Sequence, residues 1–89
     1  MKRKGPKGDG VMSKYSGIAE YLKRRDKELT ISFAEIAALV DGGLPPSAFE
    51  YSAWWANDAS HVQAKVWLDA GWETRTPNLV ARKITFVPR

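Results

Sequence analysis

Few side chains in this 89-residue chain are of types that do chemistry. The single histidine, His61, is the one candidate general base or metal ligand. No cysteine, second histidine or Asp-x-His spacing stands beside it to complete a site. Asp58 with His61 is too small a donor set for a metal centre. Ser47 and Ser60 each open a helix and are accounted for by capping, which leaves no assigned nucleophile. The sequence therefore reads as non-catalytic, with no cofactor and no metal.

The remaining polar candidates suit recognition. Ser60, His61, Gln63 and Lys65 fall at the start of one helical stretch. Gln is suited to a bidentate contact with adenine and Lys to guanine, so these four are the candidate base-contacting residues. Arg24, Arg25, Arg75, Arg82 and Lys83 are the candidate phosphate contacts, and double-stranded DNA is the first expected partner. A second surface is aromatic. Trp54 beside Asn57 could anchor a protein partner, since exposed tryptophans concentrate binding energy. An adjacent pair such as Trp54 and Trp55 cannot share one helix face, so one is expected inside and the other partly exposed.

Charge bears on the choice. The net charge is +4, but residues 1–11 supply Lys2, Arg3, Lys4 and Lys7 against Asp9. Residues 12–89 hold ten basic and nine acidic side chains. The basic balance thus lies in the N-terminal stretch and is not a nucleic-acid footprint of the folded part. Residues 1–12 are expected to be a disordered basic arm, being rich in Gly, Pro and Lys. Zero cysteines exclude disulfides and fit a reducing compartment, and no apolar run approaches the roughly 20 residues needed to span a bilayer. A cytoplasmic protein with no membrane contact is the default.

These residues must be positioned by a single domain over residues 13–89. Tyr15, Ile18, Ala19 and Leu22 share one face of a first helix, from Ser13 or Ser16 to Arg25. Leu29-Thr30-Ile31 is a short β-type run. Ser32-x-x-Glu35, Ser47-x-x-Glu50 and Ser60-x-x-Gln63 read as three capping boxes. The first opens a helix burying Phe33, Ile36, Ala37 and Val40, ended by Gly42-Gly43. The second opens a short helix to Trp55, with Ala48, Tyr51 and a tryptophan inward. The third opens a helix to Ala70 with Val62, Val66 and Ala70 as its apolar stripe, Trp67 at the edge, and Gly71 as its cap. Trp72–Thr76 and Val80–Val87 form a hairpin about Pro77-Asn78, with Leu29–Ile31 as third strand.

The expected fold class is α+β, winged helix-turn-helix-like, with three to four short helices, a C-terminal β-hairpin and a short third strand. The helix over 60–70 would be the recognition helix and the hairpin the wing. The motifs Leu44-Pro45-x-Ser47-Ala48, Trp54-Trp55-x-Asn57, Trp67-x-x-Ala70-Gly71-Trp72 and Ile84-x-Phe86 with Arg89 resemble a family of small bacterial domains of unknown function. The resemblance covers about residues 13–89. It implies a unit recurring in bacteria and mobile elements, alone or attached to other modules, and brings no activity with it. Two functions are expected in order: a non-catalytic DNA-binding module acting in transcription regulation, or a protein-binding adaptor or inhibitor using the Trp54 surface.

Overall fold

The computed structural model describes residues 13–89, and the arm expected over residues 1–12 lies outside them. The elements are α1 (Ser16–Lys23), β1 (Leu29–Ser32), α2 (Phe33–Leu39), α3 (Ser47–Glu50), a 3-10 turn (Ser52–Trp55), α4 (Val62–Asp69), β2 (Trp72–Thr74) and β3 (Lys83–Pro88). Four helices pack with an antiparallel sheet of order β1-β3-β2, which makes the protein α+β.

The run Leu29–Ile31 does become the third strand. Leu29 pairs with Phe86 and Ile31 with Ile84, so the apolar alternation of the two strands faces one side. Thr30 and Thr85 meet on the other, their hydroxyls 2.7 Å apart. The hairpin strands are shorter than their sequence suggests. β2 stops at Thr74, and Val80 lies in the connecting loop almost fully exposed.

The Ser32 box forms as expected: the Glu35 N–H donates to Ser32 Oγ at 3.0 Å, and the Ser32 N–H to Glu35 Oε1 at 3.1 Å. The other two boxes do not form. Pro46 occupies the N-cap position of α3 with backbone angles that are already helical, so Ser47 falls inside the first turn and caps nothing. The chain then becomes extended at Tyr51 before the 3-10 turn, which breaks the expected helix and turns Tyr51 outward, 61% exposed. Before α4 the N-cap is His61, with no side-chain cap, and Asp58 instead holds Ser60 in the preceding turn. Oδ1 of Asp58 accepts the Ser60 N–H at 2.9 Å and the Ser60 hydroxyl at 2.7 Å. At α1 the N-cap is Tyr15, with no side-chain cap, and the helix ends two residues earlier than expected.

The core is aromatic. Trp55 is stacked between Phe33, at 4.7 Å, and Trp67, at 6.2 Å, and Phe86 meets Trp67 edge-on at 5.6 Å. Phe33, Trp55, Trp67 and Phe86 are all fully buried. At ~150–250 Å² each and ~25 cal/mol per Å², each contributes about 4–6 kcal/mol before its ordering entropy is subtracted. Gly17 lets α1 approach α2 closely, because a Cβ there would collide with the Leu39 carbonyl oxygen.

Candidate functional site

The size of Trp67 sets the orientation of α4. Its indole removes more apolar surface from water than Val62 or Val66, so α4 turns Gln63, Ala64 and Trp67 inward and leaves Val62 55% exposed. The expected stripe of Val62, Val66 and Ala70 is therefore rotated by about one residue. Gln63 follows the rotation. It is 8% exposed, and its Nε2 donates to the Trp54 carbonyl at 3.0 Å. The placement of Gln63 on the outer face is corrected: its amide is committed inside the protein and cannot meet a base edge.

The other helix-start candidates are exposed but carry acidic neighbours. Lys65 Nζ lies 2.9 Å from Asp69 Oδ2, and His61 Nε2 lies 4.0 Å from Asp58 Oδ2. The hydrogen bonds from the Ser60 hydroxyl and then from its backbone hold the Asp58 carboxyl below its usual range, with His61 adding a smaller electrostatic contribution. Asp58 and Asp69 thus flank Ser60, His61 and Lys65.

The phosphate candidates divide into two groups. Arg24 and Arg25 precede the Leu29 end of β1, whereas Lys83 lies across from Ser32 at its other end. Arg25 closes the end of α1, with its guanidinium 3.7 Å from the Tyr21 ring centroid and a hydrogen bond to the Tyr21 carbonyl. Arg82 has a left-handed backbone, φ +57°, and its guanidinium lies 5.3 Å from the Phe49 ring centroid. Arg75 is 3.8 Å from Glu73 and its N–H continues the ladder to Thr85. Arg75, Arg82 and Lys83 are exposed at the loop end of the hairpin.

Asn57 does structural work that its sequence context does not announce. Its Oδ1 accepts the Trp67 indole N–H at 3.0 Å and the Thr74 N–H at 2.8 Å, while its Nδ2 donates to the Thr74 carbonyl at 2.9 Å. The side-chain amide therefore pairs with the edge of β2 as another peptide group would. The Thr74 hydroxyl donates to the Trp55 carbonyl at 2.6 Å, and the Trp55 indole N–H donates to the Ala48 carbonyl at 2.8 Å. Both ends of the Asn57 amide are thereby tied to the fold, while the residue itself remains exposed.

Of the adjacent tryptophans, Trp55 is the buried one and Trp54 the partly exposed one. It is half-buried, with its ring 5.9 Å from Tyr15 and 4.7 Å from Trp55, both edge-on. It lines a shallow groove with Tyr51, Ala53, His61 and Val62, which runs between the 3-10 turn and the start of α4. Tyr51 and Val62 were assigned inward by periodicity, so sequence reasoning missed them as surface residues. The signal available was Trp67: the largest apolar side chain in the segment predicts the buried face better than a stripe of valines. Among the described residues there is no group of three or more metal-ligating side chains, and no helix long and apolar enough to cross a membrane.

The chain has an α+β fold with a shallow groove beside Trp54. It belongs to the family described as a domain of unknown function, DUF7662, whose model matches residues 15–88. No curated protein and no solved structure matches the chain.

Proposed function

We propose that this protein is a non-catalytic protein-binding module whose partner docks in the groove of Tyr51, Trp54 and Val62. The observation that carries this reading is the pair of large apolar side chains, Tyr51 and Val62, left exposed on either side of the half-buried Trp54. Burying such side chains against a partner is favourable at ~25 cal/mol per Å², and half-buried tryptophans are the usual anchors of such contacts. The test is selection of displayed peptides on the full chain, followed by affinity measurement on wild type and Val62→Ser. Selected peptides should bind wild type and lose affinity with Val62→Ser. Failure to select any groove-dependent peptide sinks the reading.

A second reading, DNA contact, keeps one supporting observation. Residues 74–89 carry Arg75, Arg82, Lys83 and Arg89 and no acidic side chain, whereas residues 13–73 carry six basic and nine acidic ones. The element order helix, strand, three helices, strand, strand fits a winged helix-turn-helix with this basic hairpin as its wing if α3 and the 3-10 turn count as an insertion in the connection. In that case the wing supplies the contacts, because α4 lies in the acidic part of the chain. Duplex affinity should then fall steeply between about 50 and about 200 mM salt and depend on Arg82 and Lys83. Retention of duplex binding in Arg82→Ala/Lys83→Ala would end it.

A further inference from the structure

We infer that the groove beside Trp54 takes a cationic side chain, an arginine or lysine carried on an extended segment of the partner protein. The inference rests on the protein-binding reading and names its chemistry. Its walls are the exposed ring of Tyr51 and the half-buried indole of Trp54, with Val62 and Ala53 as apolar neighbours. Aromatic faces attract guanidinium and ammonium groups through their negative π-surfaces, and more strongly where water is partly excluded.

Along the segment that forms the groove the charges have one sign, and a cation beyond it, Lys14, lies over the Tyr15 ring that meets Trp54. From Leu44 to Ala64 the chain carries Glu50 and Asp58 and no lysine or arginine. Glu50 directly precedes Tyr51 in the sequence. Asp58 Oδ2 lies 4.0 Å from Nε2 of His61, which lines the groove. Asp58 remains an anion well into the acidic range, because Ser60 donates two hydrogen bonds to it. The nearest basic side chain along α4, Lys65, is engaged by Asp69. A partner anion would therefore meet the Asp58 carboxylate beside the groove, while an arginine or lysine would meet aromatic faces and that carboxylate together. The aliphatic stem of such a side chain also suits Val62, since long basic residues bury their methylenes while keeping the charged head near water.

The experiment uses the full chain and three synthetic peptides that alternate leucine with arginine, serine or glutamate, with affinities measured by calorimetry. The arginine peptide should bind. Glu50→Lys/Asp58→Lys should weaken it about tenfold, and Tyr51→Ser by a similar factor. Glu20→Lys/Glu28→Lys, a reversal of the same size on α1 and the segment before β1, should leave it unchanged. All of these positions are exposed, and circular dichroism checks that each variant folds. If the serine or glutamate peptide binds as tightly as the arginine peptide, the groove is still a docking site but its preference for cations is refuted. If the α1 reversal weakens binding as much as the groove reversal, the attraction is general and the inference falls. If no peptide binds and the chain instead self-associates through Val62, the protein-binding reading falls with it.

Discussion

Replacing Asn57 by alanine tests whether this side chain holds β2 to the rest of the molecule. The substitution removes the acceptor of the buried Trp67 indole N–H and of the Thr74 N–H, together with the donor to the Thr74 carbonyl. A buried donor left unpaired costs about 1–3 kcal/mol. Asn57 itself is exposed, so water can reach part of the vacated space, and the lower half of that range applies to each group. The expected total is about 2–4 kcal/mol out of a typical ~5–15 kcal/mol. For a domain of this size that is a fall in Tm of about 10–25 °C. Asn57→Asp keeps acceptors for both N–H groups but sets a carboxylate against the Thr74 carbonyl, so it should lie between alanine and wild type. The measurement is urea unfolding followed by far-ultraviolet circular dichroism. A loss below about 0.5 kcal/mol for Asn57→Ala would show that solvent satisfies these groups and that the strand-edge argument is wrong.

Three further outcomes are expected. Gly17→Ala should cost about 1–3 kcal/mol, because the Cβ meets backbone of Leu39 rather than a movable side chain; thermal unfolding at wild-type midpoint would contradict the close approach of α1 and α2. Ser32→Ala should cost about 1 kcal/mol by removing the cap of α2, whereas Ser47→Ala should be neutral within about 0.5 kcal/mol, since Ser47 caps nothing. Burial raises the pKa of Tyr15, so folding favours its neutral form. Stability from this group is complete below the tyrosine pKa of the unfolded chain, about 10, and is lost as pH rises above it towards the raised folded value. Urea midpoints should fall above about pH 10 in wild type and fall less in Tyr15→Phe; identical alkaline limbs would refute the assignment.

How much of this was legible beforehand depended on whether a local pattern had local competition. The Ser32–Glu35 box faced none and formed. Ser47–Glu50 has the same letters, but the preceding Pro46 already supplies the first helical angles. At Ser60 the competitor was Asp58, which took the serine's N–H and hydroxyl and left Gln63 free to reach the Trp54 carbonyl. The third strand and the Ile84–Phe86 face were readable because alternation in a strand survives any choice of partner. The groove was not, because it depends on the rotation of α4, and apolar residues occur on both faces of that helix. The role of Asn57 required knowing that Thr74, seventeen residues on, would be an edge position. No pattern within the helix or the strand contains that information.

The contacts among Trp54, Trp55 and Trp67 have an optical consequence. Their ring centres are 4.7 to 6.5 Å apart, so absorbed light energy passes among them before emission. The ultraviolet glow of the folded chain is then a shared property of the cluster rather than a sum of independent indoles. Quenching or shifting Trp54 alone, the member that borders the groove, would dim or recolour the whole signal, which makes occupancy visible without any attached dye.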